Sequence, residues 1–337
     1  MKFAGIITEY DPFHNGHAAQ LQMLRDRGAE TIAVCMSSGA VQRGGIPLFP
    51  ESVRVRAALL GGADLVVSLP APYANTGAEA FGAAGVALLT ALGCDTLAFG
   101  AEAPDAAHLM RAAELLGKPD LSARLRRHLG EGMTFAAARA RAAEELEPGL
   151  GDLLSRPNNI LGIEYCKAIL AQHSAMQPLA LPRLGAGHGS DETGRSGEMR
   201  LASASLLRTL IRKGGPDALA PYVPEPALQL YRQAVEQGLE ADPGRFSVAL
   251  LALLRVGDPA RFARIRGVSE GLENRLTAAV WSASDAESLY ASLKTKRYPH
   301  ARLRRLALDA ALGVEAEKLP ALPPYLPAGG EHYAQPG

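Results

Sequence analysis

The sequence has few of the features that mark secreted, metal-binding or membrane proteins. Its three cysteines, Cys35, Cys94 and Cys166, are scattered, without a CxxC pair or a histidine at metal-ligand spacing. No apolar run reaches the length of a membrane span, and no charged and then apolar leader stands before the first predicted strand. We therefore expect a cytoplasmic protein with free cysteines, no metal-binding residues and no membrane association.

The chain also has no net charge and few aromatic residues. The 35 Lys and Arg residues balance 35 Asp and Glu residues, so no global field attracts nucleic acid and any basic surface must be local. Aromatic residues make up 5% of the chain, while abundant alanine favours helices. Apolar content of 47% and charged content of 21% in 337 residues are typical of a globular protein with two domains.

Strands and helices alternate over the first part of the chain. Five short apolar runs predict strands, and they lie at 3–7, 31–36, 65–69, 96–99 and about 176–184. Right-handed crossovers between such strands build an α/β fold with a Rossmann-like, doubly wound parallel sheet. Residues from about 106 to 150 predict a helical insertion. In such sheets, ligands bind in the crevice at the carboxyl ends of the strands.

The loop after the first strand carries two histidines, His14 and His17, with Asn15 and Gly16 between them. A helical pattern follows directly, so His17 falls on a helix N-terminus, where unpaired N–H groups and the helix dipole favour phosphate. Gly16 lets a phosphate approach the backbone where a Cβ would obstruct it. Four letters recur by chance, and such a histidine can be a plain surface or core residue. The position directly after a strand favours the phosphate site.

His-Asn-Gly-His resembles the HxGH signature of nucleotidyltransferases, which transfer AMP from a nucleoside triphosphate. The resemblance implies that His17 donates to phosphate oxygens in the transition state and that His14 positions the nucleotide. It also implies a second phosphate site, of the form S-x-S-x-x-R, after the last strand. Ser203, Ser205 and Arg208 match that form at the start of a helix, where Ser205 and Arg208 share one face. Alone, these residues would predict only a serine N-cap and a surface arginine.

Three further segments border the predicted crevice. Asn158 and Asn159 stand before an apolar helix; they can cap it, but a cap needs one amide, and paired amides can also read adenine or ribose. The polar, glycine-bearing loop at 37–44 follows the second strand and faces the same crevice as His17. The Gly- and Ser-rich segment at 185–197 is predicted to be a mobile loop over the crevice.

Prolines at 221, 224 and 226 interrupt the pattern, so we predict a domain boundary there, between residues 1–220 and an all-α part at 221–318. The tail at 319–337 is predicted to be poorly ordered. A basic run without acidic residues in the helical part concentrates positive potential, which suits tRNA phosphates. Its candidate tRNA-binding residues are Lys294, Lys296, Arg297, Arg302, Arg304 and Arg305. A solvated basic helix is the simpler alternative.

Along nearly the whole chain, the sequence is similar to the bacterial tRNA(Met) cytidine acetate ligases. The matching segments are GIITEYDPFHNGH at 5–17, SSGAVQRG at 37–44, DLVVSLPAPYA at 64–74, FGAE at 99–102, RPNNILGIEY at 156–165, RLGAGH at 183–188, SASLLR at 203–208, VSEGLENRL at 268–276 and KTKRYPHARLRRL at 294–306. The resemblance implies an enzyme that forms acetyl-adenylate from ATP and acetate and then acetylates N4 of the wobble cytidine in elongator tRNA(Met). Asp11 stands where this family usually has asparagine.

The resemblance also assigns residues to ATP. They are Ile7, Thr8, Glu9, Tyr10, Asp11, Pro12, Phe13, His14, Asn15, Gly16, His17, Gln20, Gly100, Asn158 and Arg183, and Ser203 joins them through the second phosphate site. Mg²⁺ that bridges the phosphates is expected from their charge alone. The sequence shows no carboxylate cluster dedicated to this ion. Two alternatives remain. An adenylyltransferase for a small phosphorylated metabolite would leave the basic helical part without a role, and the intact histidines oppose an RNA-binding protein with a vestigial nucleotide site.

Overall fold

The computed structural model describes residues 1–184, 193–196, 199–269, 271–295 and 298–324. Its main sheet has five parallel strands in the order β3-β2-β1-β4-β5. The strands are β1 Phe3–Thr8, β2 Thr31–Ser37, β3 Leu65–Leu69, β4 Thr96–Ala101 and β5 Gln177–Pro182. The order reverses between β1 and β4, which opens a crevice at their carboxyl ends. The predicted doubly wound parallel sheet is confirmed.

Helices cover both faces of this sheet because side chains alternate along each strand. Ile6 of β1 belongs to one core and Ile7 to the other. The helices that follow the strands in the first 171 residues are α1 Asn15–Asp26, α2 Glu51–Leu60, α3 Ala71–Ala74, α4 Ala78–Ala91, α5 Ala106–Leu116, α6 Pro119–Gly130, α7 Phe135–Glu144, α8 Leu150–Leu153 and α9 Pro157–Ala171. The helices α5 to α8 cover the stretch from 106 to 153 and extend the core that contains Ile7, while the helical insertion at about 106–150 stays a prediction.

A short hairpin and six more α-helices follow in the described part of the chain. They are β6 Gly194–Ser196, β7 Met199–Leu201, α10 Ala204–Gly214, α11 Glu225–Glu236, α12 Pro243–Arg255, α13 Leu272–Ser282, α14 Ala286–Leu293 and α15 His300–Leu312. The loop prediction for 185–197 was wrong at 194–196, because these residues pair antiparallel with 199–201. The rest of that loop, apart from residue 193, and the tail from 325 onward lie outside the described residues.

The helices beyond residue 221 belong to two different cores. Leu228 and Tyr231 of α11 pack into the core of the sheet, where Tyr231 stacks on Phe49 with ring centroids 4.8 Å apart. The helices α12 to α15 share a separate core that includes Leu276 and Leu303. The boundary at 221 stays a prediction. Within the described residues, no helix is long and apolar enough to cross a membrane.

A buried charge network attaches α15 to the sheet unit. Arg266 donates to Oδ2 of Asp309 at 2.7 Å, and to the carbonyl oxygens of Pro72 and Asn75. Nδ2 of Asn75 in turn donates to Oδ1 of Asp309 at 2.8 Å and to the carbonyl oxygen of Arg305 at 3.0 Å. Since Asp309 is buried, this network fixes where α15 lies relative to the crevice.

Candidate active site

A cavity of about 520 Å³ lies at the carboxyl ends of β1 and β4, a size that suits a small-molecule ligand. Residues predicted from five separate parts of the sequence line it. They are Ile7, Thr8, Glu9, Tyr10, Asp11, His14, Gly16, His17, Gln20, Gly100, Asn158, Arg183, Ser203 and Ser205. Of the other candidates for the nucleotide, Pro12, Phe13, Asn15 and Arg208 are not among the described residues that line this cavity.

The two histidines form the start of α1. Their rings stack with centroids 3.6 Å apart and planes at 18°. Nδ1 of His14 accepts from the N–H of Gly16 at 3.1 Å, and Nδ1 of His17 accepts from the N–H of His14 at 3.3 Å, which makes a capping box. Because Nδ1 accepts in both rings, Nε2 carries the proton of each neutral imidazole. A Cβ on Gly16 would lie 3.0 Å from Cε1 of His14, so glycine leaves room for that ring.

Both imidazoles are neutral at pH 7. Burial, reinforced by the nearby Arg183 guanidinium, lowers the pKa of His14 to about 4. Burial, followed by His14 and Arg183, lowers the pKa of His17 well below its ordinary value. Each ring therefore meets a ligand as a neutral N–H donor, and the charge of an entering phosphate favours protonation.

The carboxylate of Glu102 orders the opposite side of the cavity. Its Oε1 accepts from Nδ2 of Asn158 at 2.6 Å, and its Oε2 accepts from the N–H of Asn159 at 2.9 Å. Arg183 approaches the same carboxylate at 3.8 Å. Burial would raise the pKa of Glu102, but the hydrogen bonds from Asn158 and Asn159 outweigh it and hold the pKa below its ordinary value. Asn158 thus faces the cavity, whereas Asn159 is fully buried.

Two arginines hold the loop that carries the histidines. Arg208 donates from Nη1 to the carbonyl oxygen of Asp11 at 2.6 Å and lies 3.2 Å from its Oδ2. Arg54, which is fully buried, donates to the carbonyl oxygens of Glu9 at 2.7 Å and Ser37 at 2.8 Å. Both guanidiniums therefore stabilise backbone around the cavity. Sequence reasoning missed this role for Arg54, because nothing in its local sequence signals a buried arginine.

The helix α15 reaches the cavity as well, which the sequence did not predict. Nη1 of Arg305 donates to the carbonyl oxygen of Gln42 at 3.0 Å, and Arg305, Gln42 and Arg43 line the cavity. Gly44 has φ of +81°, and a Cβ there would lie 2.5 Å from the backbone nitrogen of Arg305. The loop at 41–45 therefore lies directly against α15. The sequence predicted that this loop faces the crevice, because it follows the carboxyl end of β2, but it did not predict the contact with α15.

The side chains of Arg302 and Arg304, also in the basic run, have other partners. The Arg302 guanidinium stands 4.6 Å from the ring centroid of Tyr298, and Arg304 pairs with Glu287 at 3.0 Å. Lys294 is exposed at the end of α14. Lys296 and Arg297 lie outside the described residues.

Ser203 begins the second helix that points at the cavity. Its Oγ accepts from the N–H of Leu206 at 3.1 Å, so it is the N-cap of α10. Ser203 is therefore an N-cap and also lines the cavity. Among the described residues, no group of three or more His, Cys, Asp or Glu side chains is arranged to hold a metal ion.

Comparisons with known proteins agree with this geometry. The family described as HIGH Nucleotidyl Transferase matches residues 1–326. A tRNA(Met) cytidine acetate ligase of Syntrophotalea carbinolica is 36% identical over 335 residues, which is 97% of this chain and 78% of that protein. The apo structure of Thermotoga maritima TmcAL is similar with a TM-score of 0.84 at 28% identity, over 94% of this chain and 77% of that one. Its complex with alpha-thio ATP gives a TM-score of 0.83 at 28% identity, over 94% and 76% of the two chains.

Proposed function

Because this chain belongs to the tRNA(Met) cytidine acetate ligases, a family of HIGH nucleotidyltransferases, we propose that it acetylates N4 of the wobble cytidine in elongator tRNA(Met) with ATP and acetate. The protein is an ATP-dependent ligase that acts on tRNA. The observation that carries the mechanism is one cavity in which His14 and His17 meet the serines at the start of α10.

The chemistry requires two steps. Acetate is a poor acyl donor because its leaving group would be oxide. A carboxylate oxygen therefore attacks the α-phosphorus of ATP, the bond to the bridging oxygen breaks, and pyrophosphate leaves with the electron pair. The exocyclic amine of cytosine then attacks the acetyl carbon of the mixed anhydride. The bond from that carbon to the phosphate oxygen breaks, AMP leaves with the electron pair, and the nitrogen releases a proton. The first step depends on positioning and on donors to the phosphates rather than on covalent catalysis.

In this proposal, the phosphates lie between two helix N-termini. His14 and His17 donate from Nε2 to phosphate oxygens, and charge on those oxygens strengthens the bonds as pyrophosphate leaves. Ser203, Ser205 and the N–H groups at the start of α10 bind the β- and γ-phosphates. Arg208 acts through Asp11, to which it donates, and so positions the histidine loop.

The rest of the nucleotide meets the other walls. Asn158, oriented by Glu102, and Arg183 bind the nucleoside and its phosphates. Backbone and side chains of the cavity wall complete the ATP site, namely Ile7, Thr8, Glu9, Tyr10, Asp11, Gly16, Gln20 and Gly100. We assign Pro12, Phe13 and Asn15 to the shape of the loop rather than to direct contact with ATP. Asn15 attaches the loop to β7, because its Nδ2 donates to the carbonyl oxygen of Arg200 at 3.0 Å.

Mg²⁺ would be held chiefly by the phosphates. The two carboxylates of the histidine loop already have partners: Oε1 of Glu9 accepts from the N–H of Gln42, and Oδ1 of Asp11 from the N–H of Leu48, both at 2.6 Å. This donor set fits a metal that arrives with ATP and keeps its own waters. When bound, the ion would neutralise charge on the leaving pyrophosphate.

We assign tRNA phosphates to the basic run, at Lys294, Lys296, Arg297, Arg302 and Arg304. Arg305 is set apart from this group because its guanidinium is engaged with Gln42 beside the cavity. Since ATP and tRNA occur together in the cytoplasm, we propose that the enzyme works there.

Pyrophosphate exchange tests the proposal. Protein, ATP and magnesium are mixed with and without acetate and tRNA, and both exchange and N4-acetylcytidine are measured. We expect exchange that depends on acetate, and acetylcytidine only with tRNA. Exchange that is indifferent to acetate would indicate an adenylyltransferase for another substrate, and no turnover would indicate a vestigial site. The His17→Ala variant should lose exchange while its affinity for tRNA is kept.

A further inference from the structure

Two buried side-chain donors at the cavity have no hydrogen-bond partner among the residues that the structure describes. They are the hydroxyl of Tyr10 and Nε2 of Gln42, and both residues line the cavity. Tyr10 is only 1% exposed, and burial raises the pKa of its hydroxyl, so it stays protonated. Buried polar groups nearly always have a partner, so two unpartnered donors in residues that line one cavity point to a ligand.

Neighbouring contacts keep these two donors close to the histidine pair. The ring of Tyr10 lies 4.6 Å from that of His17, measured between centroids. Glu9, which precedes Tyr10, accepts from the N–H of Gln42 at 2.6 Å and lies 3.5 Å from Nη2 of Arg43. The loop at 41–45 is therefore attached to the wall that carries Tyr10, next to the predicted position of the phosphates.

The chemistry of this corner selects an acceptor. A phenol, an amide nitrogen and the Arg43 guanidinium all donate, and a carboxylate is a ligand that only accepts. The amine of cytosine would need an acceptor instead. The carboxylate of Glu9 is one such acceptor, and its two oxygens already face the N–H of Gln42 and the guanidinium of Arg43. The β- and γ-phosphates accept too, but the start of α10 is assigned to them above.

We propose that Tyr10 and Gln42, beside Arg43, form the binding site for the carboxylate of acetate. This inference rests on the proposed function and refines the role of Tyr10 within the ATP-binding stretch. One oxygen of acetate receives the two donors. The other oxygen forms the bond to the α-phosphorus next to His17, while the bond from phosphorus to the bridging oxygen breaks and pyrophosphate takes the electron pair.

Steady-state exchange kinetics of two variants test this site. We expect Tyr10→Phe and Gln42→Leu each to raise the KM for acetate about tenfold or more, as the loss of a hydrogen bond to a charged group does. The KM for ATP should change less than threefold. Tyr73→Phe is the matched control: Tyr73 is also a buried tyrosine, but its hydroxyl donates to the carbonyl oxygen of Pro320 at 3.1 Å, away from the cavity.

Each other outcome has a definite meaning. An unchanged KM for acetate in both variants, or an equal rise in the KM for ATP, would overturn the acetate site and place these donors on the triphosphate. Thermal unfolding gives a second readout, since the loss of an unpartnered hydroxyl in Tyr10→Phe should not lower the midpoint. A clear drop would mean that the hydroxyl has a structural partner, and the inference fails. If the wild-type protein exchanges without acetate, the proposed function itself is wrong.

Discussion

Replacement of Arg305 by alanine separates the catalytic cavity from the tRNA surface. Arg305 and Arg302 lie three residues apart in one basic run, and the sequence assigns both to tRNA. The structure gives them different partners. Arg305 donates to the carbonyl oxygen of Gln42 beside the cavity, whereas Arg302 lies over the ring of Tyr298. Arg302→Ala is therefore the matched control for Arg305→Ala.

The expected size of the effect follows from the bond that is lost. A hydrogen bond from a charged donor contributes roughly 1.5–3 kcal/mol, and the partly buried position of Arg305 favours the lower value. About 1.5 kcal/mol corresponds to a roughly tenfold loss. We expect Arg305→Ala to lower kcat/KM for acetate by about this factor without tRNA. Arg305→Lys keeps the charge but not the fork of donors, so it should restore only part of the activity.

The assay is acetate-dependent pyrophosphate exchange, paired with tRNA binding at two salt concentrations. Arg302→Ala should keep exchange and weaken tRNA binding, with a shallower dependence on salt because one phosphate contact is lost. Arg305→Ala should show the reverse pattern. If Arg305→Ala exchanges pyrophosphate at the wild-type rate and binds tRNA as weakly as Arg302→Ala does, the contact with Gln42 has no catalytic role and our reasoning is refuted.

Two further predictions concern the histidines and Glu102. The pKa of His14 is lower in the folded protein than in the unfolded chain, so unfolded molecules bind more protons below pH 6.5 and the free energy of unfolding should fall by about 1 kcal/mol per pH unit towards pH 4. Denaturant titrations give the free energy of unfolding at each pH. Its slope against pH should be smaller for His14→Asn than for wild type between pH 4 and 6.5, and the two slopes should agree near pH 8. Equal slopes throughout would contradict the low pKa of His14. Glu102→Gln should weaken the hold on Asn158 and raise the KM for ATP about tenfold while the KM for acetate is kept. An altered KM for acetate alone would mean that Glu102 does not act on the nucleotide side.

Local signals predicted the fold well. Apolar runs between turn residues placed all five parallel strands within a few residues of their observed bounds, as at 65–69, where prediction and structure agree. Loops at the carboxyl ends of strands also placed His17 and Asn158 at one cavity. These successes depend on one rule of parallel sheets, which brings strand ends to a common edge whatever their distance in sequence.

Side-chain contacts over long distances were beyond such reasoning. Arg54 has the neighbours of an ordinary surface helix, yet four carbonyl oxygens surround its guanidinium. Arg305 looks like any member of a basic run, and its partner Gln42 lies 263 residues away in sequence. Charge and periodicity predict a basic helix and its positive potential. They do not predict which of its arginines contacts a loop far away in the sequence.

The contacts of α15 suggest an order of events. Arg305 is attached on both sides within the chain, by its side chain to Gln42 and by its carbonyl oxygen to Asn75. The wall that carries Gln42 is thus supported by groups of the protein itself, and no tRNA is needed to complete it. The same helix carries Arg302 and Arg304, which we assign to tRNA. We therefore expect acetyl-adenylate to form before tRNA binds, which exchange of pyrophosphate in the absence of tRNA would confirm.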